Sequence, residues 1–212
     1  MKKKIDVLIS DDHAIVREGL KQILATTRDI AVAGVAADGA DTIKLARKYP
    51  TAILLLDISL PDRNGIDVLK QLRKEIPTLA VLMLSMHRED LYAIRALKAG
   101  AAGYLTKQSA TSELVNALRE IAGGRKYISA QLAQELANTI QEDREILPHE
   151  KLSDREYQTL TMIAAGKSVS DIANELALSV KTISMYRTRL LQKMRLKHNA
   201  ELTHYVIKNQ LS

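Results

Sequence analysis

Short apolar runs alternate with amphipathic stretches along the first 124 residues, and the alternation then stops. Ile5–Ser10, Ile30–Ala36, Ala52–Leu56, Ala80–Ser85 and Gly103–Thr106 have the length and composition of strands. Between them, segments 14–26, 39–49, 65–75, 90–99 and 111–122 repeat apolar residues at helical spacing, as Leu114, Leu118 and Ile121 do in the last. Strands alternating with helices of this length imply right-handed crossovers and a parallel sheet, so this part predicts an α/β fold. Ile53–Leu56 is apolar throughout, which suits a strand covered on both faces.

The rest of the chain follows a different pattern. Residues 125–150 read as a linker. Gly123-Gly124 closes the last helix, Ser129 is placed to cap a helix carrying Leu132, Leu136 and Ile140, and Pro148 breaks what remains. A linker helix and then a flexible tether are expected there. Residues 151–212 predict a small all-α domain of four capped helices. Ser153-Asp154-Arg155-Glu156 is a capping box with Leu152 and Tyr157 as its hydrophobic staple, and Gly166 is a suitable C′ residue. Ser168 caps a short second helix through Leu176, and Ser179 caps a third running to about Met194. Asn199 is expected to cap the fourth, whose core face includes Leu202 and Val206. The tight turn at Ala177-Leu178 between the second and third gives helix-turn-helix spacing.

Composition narrows the classes. A chain of 212 residues is comfortable for two domains, and no uninterrupted apolar run approaches a membrane span. Lys2–Lys4 precede an apolar run that Asp6 interrupts and Asp11 ends, too short for a signal peptide. The absence of cysteine excludes disulfides and thiolate metal sites and suits a reducing cytoplasm. Phe and Trp are also absent, so aliphatic residues and Met fill the cores. Charge is unevenly placed: residues 1–124 hold 18 Lys/Arg against 15 Asp/Glu, residues 125–150 hold 3 against 5, and residues 151–212 hold 10 against 5. Much of the last excess lies in 181–197, a stretch with no acidic residue.

Four predicted strands run into polar residues that a parallel sheet gathers at its carboxyl edge, where such folds bind ligands. The first leads into Asp11 and Asp12, the third into Asp57, the fourth into Ser85 and the fifth into Lys107. Three carboxylates, a hydroxyl and an ammonium suit one kind of chemistry. The carboxylates hold a divalent cation, one accepts a phosphoryl group, and Ser85 and Lys107 hold its oxygens. The segments Val7-Leu8-Ile9-Ser10-Asp11-Asp12-His13, Leu56-Asp57-Ile58-Ser59-Leu60-Pro61-Asp62-Arg63-Asn64-Gly65, Leu84-Ser85 and Gly103-Tyr104-Leu105-Thr106-Lys107 resemble the response-regulator receiver domain. The resemblance implies a flavodoxin-like, doubly wound sheet of order 2-1-3-4-5. It makes Asp57 the phosphoryl acceptor and assigns Mg²⁺ to Asp11, Asp12, Asp57 and the backbone carbonyl of Ser59. It further makes Ser85 the switch hydroxyl, Lys107 the phosphate-contacting lysine and Tyr104 the switch aromatic. Ser59 and His87 stand two residues beyond the acceptor and two beyond Ser85, where they border the attacking water and tune dephosphorylation. Two departures stand out: Gln108 where many receivers carry a proline after a cis bond, and Met86 where some have a smaller residue, which narrows access to the phosphate.

In the second domain, Leu152-Ser153-Asp154-Arg155-Glu156, Gly166 to Ala173, Leu178 to Ile183 and Lys193-Met194 resemble the tetrahelical LuxR-type helix-turn-helix domain. The two domains together resemble the NarL/FixJ class. On the third helix, Ile183, Leu190 and Met194 form the buried stripe, with Tyr186 partly alongside. Ser184, Met185 and Thr188 then point outward toward base edges. Lys181, Thr182, Tyr186, Arg187, Arg189 and Lys193 are expected at phosphates. With no Arg, Asn or Gln at the expected reading positions, direct readout should be modest.

The combined reading is a cytoplasmic transcription regulator, not an enzyme in the ordinary sense. A sensor histidine kinase phosphorylates Asp57, which promotes a homodimer on double-stranded DNA, with RNA polymerase as a further partner and no membrane partner. The receiver is expected to pair through its first and last helices, and the second domain through the helix carrying Val206 and Asn209. Two alternatives stand beside it. A Mg²⁺-dependent aspartyl phosphohydrolase is disfavoured by Ser59, where such enzymes often place a second Asp; the other is a regulator whose last domain binds RNA or protein.

Overall fold

The aliphatic runs of the first half become five strands: β1 (Ile5–Ser10), β2 (Ile30–Ala36), β3 (Ile53–Asp57), β4 (Ala80–Ser85) and β5 (Gly103–Thr106). All pair in parallel in the order β2-β1-β3-β4-β5, as expected of the receiver fold. Helices α1 (Ala14–Ala25), α2 (Gly39–Lys48), α3 (Gly65–Glu75), α4 (Leu91–Lys98) and α5 (Ala110–Ala122) alternate with them. This computed structural model describes residues 4–86, 91–129, 132–134, 147–209 and 211. The chain divides into two compact units, residues 1–140 and 141–212.

Every residue of β3 is buried, as its unbroken apolar run requires. Val7, Ile9, Leu55, Leu82, Leu84 and Leu105 meet Leu20, Leu24, Leu114, Leu118 and Ile121 in one aliphatic core. The chain leaves β1 toward β2 on one side and reaches β3 on the other, so the switch point lies between the carboxyl ends of β1 and β3. Asp57 is the last residue of β3, one beyond the expected strand, and pairs in register with Leu84. The Asp57 backbone is thus fixed by the sheet. Gly65 closes the following loop, its N–H donating to the Ile58 carbonyl at 2.7 Å. A Cβ there would fall on the Asp57 carbonyl oxygen. The Lys107–Gln108 bond is trans, as are the other peptide bonds among the described residues.

After α5 the chain docks on the edge of the sheet. The Tyr127 N–H donates to the Ala102 carbonyl at 2.9 Å, the Tyr104 N–H donates to the Tyr127 carbonyl at 3.4 Å, and Tyr127 bridges Gly103 of β5. A Cβ on Gly103 would lie 2.6 Å from the Tyr127 carbonyl, so the glycine permits this docking. The Ser129 hydroxyl accepts from the Leu132 N–H at 3.1 Å. Leu136 and Ile140 lie outside the described residues.

In the second unit a 3-10 turn (Pro148–Lys151) precedes α6 (Asp154–Ala164), α7 (Val169–Glu175), α8 (Val180–Met194) and α9 (Asn199–Lys208). Ser153, Ser168 and Ser179 cap the first three through their side chains, and Gly166 takes a φ of +83° after α6. The expected fourth cap is not formed. His198 holds that position without a side-chain bond, because the Asn199 side-chain oxygen is taken by the Arg187 guanidinium at 2.6 Å. A charged donor outcompetes a backbone N–H. Val206 is fully buried in the unit's own core, so it is unavailable for pairing between copies. Among the described residues, no helix is long and apolar enough to cross a membrane.

Gly65→Ala is expected to destabilise the first unit by about 3 kcal/mol, at the upper end of overpacking costs, because its Cβ meets sheet backbone rather than a yielding side chain. Chemical denaturation of the two proteins measures this.

Candidate functional site

The carboxyl ends of β1, β3, β4 and β5 bring Asp11, Asp12, Asp57, Ser85 and Lys107 together. Asp11 is fully buried, Asp57 and Ser85 nearly so. The Lys107 ammonium lies 2.6 Å from Asp11 Oδ2 and 2.8 Å from Asp57 Oδ2, bridging the two carboxylates. Its backbone N–H donates to the Ser85 carbonyl at 2.7 Å, and Ser85 pairs in register with Thr106. The His13 N–H donates to Asp11 Oδ1 at 2.9 Å, and His13 Nδ1 lies 2.6 Å from Asp12 Oδ1. Potential ligand atoms of Asp11, Asp12, His13 and Asp57 all lie within 4.8 Å of one another. Asp11 Oδ2 is buried and ion-paired with Lys107, and Asp12 Oδ1 is buried beside His13 Nδ1. Such oxygens have capacity left for a hard cation.

Burial is the main force raising the Asp57 pKa; the nearby Asp11 carboxylate adds to it, while Lys107 and the Ser59 backbone N–H only partly compensate. Burial opposes the Lys107 charge, but Asp57 and Asp11 outweigh it and hold the ammonium above its ordinary range. Ser59 is half-buried in the β3–α3 loop. That loop is pinned at Asp62, whose carboxylate accepts from the Gly39 and Ala40 N–H groups at 2.7 and 3.1 Å. Tyr104 is fully buried, and Met86 is 78% exposed, so its side chain does not close over the pocket as a buried one would. His87 lies outside the described residues. No motif marks Arg17, whose guanidinium donates to the Asp11 and Asp12 carbonyls at 2.7 and 3.0 Å.

On α8 the buried stripe is Ile183, Leu190, Leu191 and Met194. Ser184, Met185, Thr188 and Arg189 are exposed as expected, and Lys181 shares that exposure. Exposed Gln192, which sequence reasoning missed, continues the stripe Lys181, Met185, Thr188 at four- and three-residue steps. Thr182 and Tyr186 are half-buried, and the Thr182 hydroxyl bonds Ser179 at 2.8 Å.

Two of the basic residues have side-chain partners within the unit. Arg187 stands four after Ile183 and three before Leu190, on the buried side, where its Nε donates to Asn199. The Lys193 ammonium donates to Glu156 at 2.6 Å. Burial would raise the Glu156 pKa, but bonds from Lys193 and Ser153 outweigh it and hold the carboxyl below its ordinary range.

A receiver-domain model of response regulators matches residues 7–119, and the model of the LuxR family of bacterial regulatory proteins matches residues 150–206. The chain belongs to the response regulators. It is 36% identical to the response regulator UvrY of Escherichia coli K12 over 98% of this chain and 95% of that one. It is also 36% identical to GacA of Pseudomonas aeruginosa, over 97% and 96% respectively. The RcsB response regulator of Salmonella typhimurium shares its architecture at a TM-score of 0.69, with 26% identity over 97% of this chain and 98% of that one. A structure of two RcsB dimers bound to two parallel DNAs matches at a TM-score of 0.60 and 26% identity, over 96% and 98%. This response regulator therefore joins a receiver to a LuxR-type DNA-binding domain.

Ionised Asp57 is disfavoured in the fold, so its charge costs stability at neutral pH. The sign follows from the raised pKa: stability falls as pH rises from the unfolded aspartate pKa, about 3.9, through the folded value. Asp57→Asn should raise Tm in Mg²⁺-free buffer at pH 7, by a margin that shrinks toward pH 4. A scan of Tm against pH for both proteins checks it; equal Tm at every pH contradicts it.

Proposed function

We propose that Asp57 accepts a phosphoryl group from a sensor histidine kinase and that the α6–α9 unit conveys this state to double-stranded DNA. The observation that carries the reading is the Lys107 ammonium bridging Asp11 and Asp57 at the switch point of the sheet. Asp11, Asp12, Asp57 and the Ser59 carbonyl would hold Mg²⁺; the Asp11, Asp12 and Asp57 ligand atoms, gathered within 4.8 Å of one another, support that assignment. Bound there, the ion offsets carboxylate repulsion and charge on the phosphoryl group.

A carboxylate oxygen of Asp57 forms the new O–P bond as the donor's P–N bond breaks, and the histidine nitrogen keeps the electron pair. Lys107 then holds a phosphoryl oxygen instead of a bare carboxylate, and the Ser85 hydroxyl and Tyr104 respond as the switch. Water later attacks phosphorus, restoring the carboxylate and releasing phosphate, with Ser59 bordering its path. The output is binding rather than turnover, so the protein acts as a regulator in the cytoplasm. Phosphorylation promotes a homodimer on DNA, a reading supported by the RcsB dimers on DNA. RNA polymerase is a further partner. Within α9, exposed Ile207 rather than Val206 supplies the apolar contact.

On α8, Lys181 and Arg189 anchor phosphates with Thr182 and Tyr186, while Ser184, Met185 and Thr188 face bases. Half-buried Arg187 orients the helix through its bond to Asn199, while exposed Lys193 is ion-paired with Glu156.

Asp57→Ala should abolish acid-stable, base-labile labelling by acetyl phosphate while the fold is kept. Labelling of the variant at the wild-type level overturns the acceptor assignment. On DNA, Lys181→Ala or Arg189→Ala should weaken all sequences alike and lower the salt slope by about one unit each. Met185 or Thr188 variants should shift preference at particular base pairs by roughly 1–3 kcal/mol with little change in slope. Titrations against a randomised half-site at several salt concentrations separate the two classes. If base preference follows Arg189 instead, the helix sits in the groove differently.

A further inference from the structure

We infer that Arg17 is the positioning residue of the acidic pocket, bridging the carbonyls of Asp11 and Asp12 so that both carboxylates stay aimed at Asp57. This rests on the reading of the pocket as a Mg²⁺ and phosphoryl site. The turn out of β1 is where the pocket is least secured by the sheet. The Asp11 N–H still reaches the Ala36 carbonyl at 3.3 Å, but the chain must then bend into α1, which begins at Ala14. Arg17 sits one turn into that helix, its N–H bonded to the His13 carbonyl at 3.2 Å. From there a single guanidinium nitrogen donates to Asp11 O at 2.7 Å and Asp12 O at 3.0 Å. Two successive peptide units are thus held by one planar group, which fixes the directions in which both Asp side chains leave the backbone.

The choice of acceptor is informative. An arginine beside three carboxylates would ordinarily pair with one of them and occupy oxygens that a cation needs. Among the described residues Arg17 pairs with no carboxylate; it takes the carbonyls and leaves the pocket-side oxygens available. Its positive charge by itself repels a second cation nearby. Charge and positioning therefore predict opposite signs when Arg17 is removed. Loss of charge alone strengthens Mg²⁺ binding. Loss of positioning weakens it, by roughly 10- to 100-fold on the scale of residues that orient metal ligands.

The test uses the full chain and Mg²⁺ itself. Mg²⁺ is titrated into wild type, Arg17→Met and Arg17→Lys by calorimetry and by Tm shift, and acetyl-phosphate labelling is followed against Mg²⁺ concentration. The expected result is a Kd raised roughly 10- to 100-fold in Arg17→Met, with the labelling rate returning to within about twofold of wild type at saturating Mg²⁺. Arg17→Lys, which keeps a charged donor, recovers most of the affinity. Unchanged or tighter Mg²⁺ binding in Arg17→Met overturns the inference, as does a lower Tm with the wild-type Mg²⁺ response. If Arg17→Met does not fold, Arg17→Gln carries the same comparison. Wild type that shows no Mg²⁺ response instead refutes the reading of the pocket, which separates the two failures.

Discussion

One ammonium makes the receiver's arrangement tenable. Asp11 and Asp57 are both buried, and like charges that close repel strongly where water cannot screen them. Lys107 sits between them at 2.6 and 2.8 Å and supplies the opposite charge. Removing the ammonium from such a buried group typically costs about 3–5 kcal/mol, because two carboxylates are then stranded together. The position of Lys107 is therefore a strict requirement on the sheet. Its N–H is held by the Ser85 carbonyl, and the register of β4 with β5 sets where that carbonyl lies. On the other side, Gly65 lets the loop close against the Asp57 backbone, where any side chain would intrude. Strand order, register and a glycine converge on one bridge.

Most of this was legible because it is local. A strand that ends on Asp or Ser can be read from a few residues, and a parallel sheet then places all such ends on one edge. The capping serines of α6, α7 and α8 follow the same logic, since each acts within three residues of itself. What was not legible depends on distant partners. Lys193 meets Glu156, 37 residues earlier, and Arg187 meets Asn199, 12 residues later. Helical periodicity gives the face from which a long side chain starts, not where its flexible end finds an acceptor. The same limit explains Tyr127, whose docking on β5 depends on the missing side chain of Gly103. Gln192 was missed for another reason: it lies in the second half of α8, beyond the residues from which base reading is usually drawn, though its spacing marks it as part of the stripe.

The two units handle charge in opposite ways, and the contrast bears on what each can do. In the receiver the charges are buried and mutually constrained, so adding a dianionic phosphoryl group must redistribute the contacts of Lys107. In α8 the basic charges are divided by partner. Arg187 and Lys193 are engaged by neighbouring helices, whereas Lys181 and Arg189 remain on the exposed face. A cation already ion-paired, as Lys193 is with Glu156, releases few counterions on meeting DNA, so the helix carries less electrostatic affinity than its raw basic count implies. The first half of its outward stripe presents Met185 and Thr188, groups of modest individual discrimination, and Gln192 lies farther along the helix. A single module of this size covers too few base pairs to find its site among many competitors. Two modules on a symmetric site multiply their discrimination, and a weak module is then an advantage. On the proposed dimeric reading, isolated binding stays low until a second module supplies the other half-site.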